Sequence, residues 1–139
     1  MSIISHIDHI AIVVKSIEEV RPFYEQTLGL RISSIEEIPQ RGIKTAFIKI
    51  GNTNLELIES INENSEVSSF LQKRGPGIHH IALATDNINK LSEKITDNNA
   101  NLIYKTPQKG AHNKNVNFIH PKNSYGVLFE ITDEENSKN

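Results

Sequence analysis

The hydrophobic and polar positions of this chain follow one order, and they follow it twice. Residues 6–60 and 77–132 can be laid side by side, the mark of an internal repeat with a long period. His6-Ile7-Asp8-His9-Ile10-Ala11-Ile12 aligns with Gly77-Ile78-His79-His80-Ile81-Ala82-Leu83, and His9 and His80 stand 71 positions apart. Both stretches are apolar and of strand type. In the first half Ser16 precedes Glu19 at the spacing of a capping box, and Val20, Phe23, Tyr24, Thr27 and Leu28 recur at helical intervals. The spacing predicts a helix over 17–28, stopped by Gly29, with Pro22 an awkward guest inside it. In the second half Asp86 or Asn87 caps a helix whose buried stripe is Ile88, Leu91, Ile95 and Ala100, and whose polar run 96–99 frays.

Short segments rich in β-branched residues follow each helix, at 30–38, 43–50 and 54–60 and again at 102–106, 115–120 and 126–132. Gly51-Asn52-Thr53 has the composition of a hairpin turn, and a short helix is expected within 62–75. The chain then reads as one domain over 1–139: a module at 6–60, a linker at 61–76, a second module at 77–132 and a flexible tail at 133–139. The expected fold class is α+β, two paired βαβββ modules forming a curved mixed sheet with helices outside and a polar-lined cleft within.

Composition narrows what such a fold is for. With 37% hydrophobic and 23% charged residues the chain is ordinary for a globular protein. Its 15 basic and 17 acidic residues are spread along its length, which favours neither nucleic acid nor a membrane surface as partner. Cysteine is absent, so any metal must be held by His, Asp, Glu or Gln. The opening MSIISHIDHIAIVV lacks the layout of a secretion signal, and no apolar run approaches the ~20 residues that cross a bilayer. A cytoplasmic location is expected, and a homodimer is compatible with these features.

Strand parity selects the candidate chemistry. Successive strand residues face opposite sides, so Ile10, Ile12 and Val14 share the helix side while His9 faces the cleft with Ile7, Ala11 and Val13. The repeat puts His80 at the equivalent place. Glu56, between Leu55 and Leu57, and Glu130, between Phe129 and Ile131, share that parity and stand 74 positions apart. An isolated carboxylate on the inside of a strand costs several kcal/mol unless it is paired, protonated or bound to a cation. His9, Glu56, His80 and Glu130 are therefore the candidate ligands of one divalent metal ion, of the Co, Zn, Ni or Mn type, with coordination positions left for a substrate. His79 points to the other face. For His6, Asp8, His112 and His120, structural or solvated roles are expected. Lys109, Lys114 and Lys122, with His112, could meet an anionic substrate at a cleft rim, though loop lysines are usually just solvated.

This pattern resembles the vicinal oxygen chelate superfamily over about residues 6–132. Within it, Ile7-Asp8-His9-Ile10-Ala11, Phe23-Tyr24 with Leu28-Gly29-Leu30, Gly77-Ile78-His79-His80-Ile81-Ala82, and Asn117-Phe118-Ile119-His120-Pro121-Lys122 with Gly126-Val127-Leu128-Phe129-Glu130 resemble the methylmalonyl-CoA epimerase family. The resemblance implies an isomerase that epimerises an acyl-CoA by proton abstraction and return through a metal-stabilised enolate. It also implies that Glu130 serves both as ligand and as an acid/base group. Two departures stand out. Some epimerases carry Gln where this chain has Glu56, and a Glu proposed elsewhere as the second base falls near Thr45, which is a poor base at neutral pH. Two other readings compete: glyoxalase I, and a non-catalytic binding protein of the same fold such as the bleomycin-sequestering relatives.

Overall fold

The computed structural model describes residues 3–133. The polar tail expected over 133–139 lies outside them except for Asp133, which ends a strand. Packing divides the chain into two compact units, one spanning Ile10–His79 and the other combining the chain up to His9 with the chain from His80 onward. Strand β1 (Ile4–Val13) contributes to both.

In the Ile10–His79 unit the order is β2-β3-β4-β1, with β2 at Ile32–Ile38, β3 at Ile43–Ile50 and β4 at Thr53–Ser60. In the other unit it is β1-β5-β8-β7-β6, with β5 at Gly77–Thr85, β6 at Gln108–Lys109, β7 at Asn115–Ile119 and β8 at Phe129–Asp133. Each repeat thus sets its first strand beside its last. The neighbours β2/β3, β3/β4, β6/β7 and β7/β8 are antiparallel and β5/β8 is parallel, the mixed sheet expected of βαβββ units.

The helix α1 (Ile17–Pro22) starts where expected, Ser16 Oγ accepting the Glu19 N–H at 3.2 Å. It does not run as an α-helix to residue 28. Pro22 has no N–H to give to the carbonyl four residues back, and residues 23–27 widen into a π-helical turn in which the Leu28 N–H reaches the Phe23 carbonyl at 3.0 Å. The wider turn rotates the expected stripe. Ile17, Val20 and Tyr24 pack with Val14, Ala46, Ile48 and Leu57, whereas Phe23 and Leu28 are about half exposed and Thr27 is exposed. The linker helix α2 (Glu66–Arg74) follows Ser65, whose hydroxyl caps it.

In the other unit α3 (Ile88–Asp97) is capped by Asn87, which accepts the Lys90 N–H at 2.9 Å. Its Ile88 and Leu91 close over Ile131, with Ile95 and Leu102 at the margin. The strand expected at 102–106 does not form. Leu102 makes only an isolated bridge to Ile119, and the short β6 lies further on, beyond Pro107. The buried Asn117 explains this: its amide oxygen accepts the Tyr104 N–H and its amide nitrogen donates to the Tyr104 carbonyl, both at 3.0 Å, so a side chain takes the bonds a strand would offer. The strand expected at 126–132 begins only at Phe129. Before it come a 3₁₀ turn at Pro121–Ser124 and left-handed Tyr125 and Gly126, which bend the chain.

Candidate metal centre

Three of the four proposed ligands meet inside one unit. The parallel register pairs Ala82 of β5 with Glu130 of β8, so His80, two residues earlier, shares the face of Glu130 and lies diagonally beside it. The antiparallel register pairs Phe118 of β7 with Glu130, adding an aromatic ring to the same face. His9 arrives from β1. Its Nε2 lies 3.3 Å from Glu130 Oε1, and His80 Nε2 lies 2.8 Å from that same oxygen. All three side chains are at most 8% exposed. The imidazole centroids are 5.5 Å apart, and Phe118 stands edge-on to His80 at 5.4 Å. Room for the rings comes from Ala11 and Ala82, two residues beyond each histidine and fully buried.

Asp8 takes the structural rather than the solvated one of the roles expected for it. It is buried, and its two carboxylate oxygens are both engaged: Oδ2 accepts from His9 Nδ1 at 2.8 Å and Oδ1 accepts from Lys114 Nζ at 3.2 Å. Burial would raise its pKa, but the His9 contact and the Lys114 ammonium outweigh that and hold it below the ordinary carboxylate value. Burial acts in the same direction on Glu130, and there too the charges and hydrogen bonds of His9 and His80 prevail, leaving it well below the usual range.

These contacts test whether the residues suit a cation. Because the Nδ1–H of His9 is given to Asp8, a neutral imidazole presents the lone pair of Nε2 to Glu130 Oε1, which carries lone pairs of its own. Such an approach is favourable only with positive charge between the two atoms, either a proton or a metal ion. Two imidazole nitrogens and an ionised carboxylate, with a carboxylate behind one imidazole, are a donor set that suits a borderline divalent ion.

Glu56 belongs to the Ile10–His79 unit, where it is 5% exposed on β4 and faces away from the core residues Leu55 and Leu57. Its cross-strand partner is Phe47, just as Phe118 is the partner of Glu130, and the two phenylalanines stand 71 positions apart. The repeated spacing of these two phenylalanines is a signal for the pair that lies in the sequence itself. Thr45 is fully buried on β3, its hydroxyl 3.4 Å from the Glu36 carbonyl. Of the other histidines, His79 stands edge-on to Phe70 at 5.0 Å, on the face away from His80. His120 caps the turn after it by accepting the Lys122 N–H, and His112 sits in a 3₁₀ turn with left-handed φ. Lys109 donates to the Asn113 carbonyl.

The chain belongs to the glyoxalase/bleomycin resistance protein/dioxygenase superfamily, whose family model matches residues 8–118. Within that class its likeness is to methylmalonyl-CoA epimerases. The human mitochondrial methylmalonyl-CoA epimerase is 34% identical over 92% of this chain and 73% of its own length. A Streptomyces coelicolor methylmalonyl-CoA epimerase, solved with 2-nitronate-propionyl-CoA, superposes with a TM-score of 0.91 at 31% identity, covering 95% of this chain and 99% of that one. An uncharacterized protein of Bacillus subtilis is 38% identical over 91% of each chain. A lactoylglutathione lyase of Arabidopsis thaliana is more distant, at 25% identity over 88% of this chain and 42% of its own.

Proposed function

We propose that this protein is a metal-dependent isomerase that epimerises methylmalonyl-CoA, with His9, Glu56, His80 and Glu130 holding one divalent ion. The observation that carries the reading is the approach of two buried imidazole nitrogens to a single buried carboxylate oxygen, at 3.3 and 2.8 Å. The substrate assignment rests on the likeness to the epimerases over nearly the whole chain. Glu56 joins the set because the repeat gives it the place of Glu130, opposite an equivalent phenylalanine.

Cobalt, zinc, nickel and manganese all accept such ligands, and the bound ion supplies Lewis acidity, stabilising negative charge as the substrate loses a proton. The chain's own groups do the rest. Glu130, the carboxylate that both imidazoles approach, is assigned to take the proton from the carbon between thioester and carboxylate. His9 and His80, held by their strands, fix where that carboxylate sits. Epimerisation also requires a proton on the opposite face of the carbon. Thr45 is not assigned that role: its hydroxyl is buried and donates to the Glu36 carbonyl, and an alcohol is a poor base at neutral pH.

Solvent exchange tests the reading. Incubated in deuterium oxide with methylmalonyl-CoA, the purified protein is expected to place deuterium at the carbon bearing the methyl group, and Glu130→Gln is expected to slow this by roughly 10²-fold or more. Conversion of methylglyoxal hemithioacetal with no exchange into the acyl-CoA would overturn the assignment in favour of the lyase.

A further inference from the structure

The Lys114–Asp8–His9 array is not accounted for by ligation or proton transfer. Asp8 directly precedes a proposed ligand, yet it is as buried as the ligand itself, at 7% exposure for each residue. A buried carboxylate bonded only to a neutral ring would be costly. Here the Lys114 ammonium, with a side chain 18% exposed, neutralises it from the other oxygen. Lys114 comes from the segment entering β7, far along the chain from Asp8, so the array ties β1 to the strand that carries Phe118. The repeat does not duplicate it: the position equivalent to Asp8 is His79, which lies against Phe70.

We propose that Asp8, anchored by Lys114, is a positioning residue that accepts the Nδ1–H of His9 and so presents Nε2 to the metal. The inference rests on the metal-site reading and deepens it. A carboxylate behind an imidazole fixes the ring's tautomer and rotation and makes its other nitrogen a better donor, and loss of such a partner typically weakens metal binding by about 10- to 100-fold. Lys114 acts one step removed, by keeping Asp8 charged and aimed. Lys114 thus reaches inward to Asp8 and not to a cleft rim.

The probe is Co²⁺ alone, titrated into the metal-stripped full chain and followed both by its absorption spectrum and by calorimetry. Asp8→Asn and Lys114→Met are each expected to weaken Co²⁺ binding by about tenfold or more and to shift the ligand-field bands, while Lys114→Arg restores affinity and spectrum. Far-UV circular dichroism shows whether each variant is folded, and Lys114→Met, changed at the less buried partner, keeps the test available if Asp8→Asn does not fold. Glu130→Gln is the control for the underlying site. If wild type binds Co²⁺ and Glu130→Gln does not, but Asp8→Asn or Lys114→Met binds with wild-type affinity and spectrum, the positioning role is wrong and the metal site stands. If wild type binds no Co²⁺, or Glu130→Gln binds it as well as wild type, both fall.

Discussion

Asp8 and Phe118 show how far single residues reach beyond what they touch. The depressed pKa of Asp8 gives its stabilisation a definite sign with pH. A carboxylate whose folded pKa lies below its unfolded value stabilises the fold above the unfolded value, and that contribution is lost as pH falls through the folded one. Wild type should therefore be more resistant to urea than Asp8→Asn at neutral pH, with the gap closing below pH 3.8, the ordinary value for this group. A gap that stayed constant or widened in acid would contradict the assignment. Phe118 is 5% exposed and packs edge-on to both His80 and Tyr104. Replacing it by alanine should cost about 3–5 kcal/mol in equilibrium unfolding, the range for a large aromatic lost from a core. A loss under 1 kcal/mol would mean that the ring is not part of the packed face.

At the scale of elements, legibility followed from how locally each element is specified. The helix start at Ser16, the one at Asp86 or Asn87, the short helix within 62–75 and the three strands of the first repeat depend on neighbouring residues and were readable. So was the shared side of His9, His80 and Glu130, because alternation in a strand is a local rule. Three features needed contacts that no local rule carries. Phe23 and Leu28 look like core positions until the π turn after Pro22 rotates them outward. Segment 102–106 has the composition of a strand, but Asn117, distant in sequence, takes the backbone bonds of Tyr104. Asp8 shares the parity of the helix side, and its burial is tolerable because Lys114, distant in sequence, joins His9 in satisfying it. The Asn117 clamp has a direct test. Asn117→Ala leaves the Tyr104 N–H and carbonyl without that partner and should destabilise the protein by about 2–4 kcal/mol in urea titrations, at about 1–2 kcal/mol for each lost bond. Unchanged stability would show that water or a newly formed strand replaces the clamp without cost.

Across the whole molecule, one topological unit occurs twice, with its first strand beside its last in each copy, and both copies set a glutamate opposite a phenylalanine on the face away from the helix. The copies are not equal. Only the first carries the Asp-His pair, His79 standing at the place equivalent to Asp8 in the second. Metal binding should also be visible in global stability: a cation that binds only the folded chain adds about 2.7 kcal/mol at a free concentration 100 times its dissociation constant. Chelator should therefore lower the thermal midpoint, and added Co²⁺ should restore it.

The most direct test joins metal to chemistry in one titration. Metal-stripped protein is supplied with Co²⁺ in deuterium oxide, and deuterium entering methylmalonyl-CoA is measured against metal bound. Exchange should rise in proportion to occupancy and level off at one ion per chain. Full exchange by the stripped protein, or saturation with metal and no exchange, would contradict a metal held by His9, Glu56, His80 and Glu130 in an epimerase.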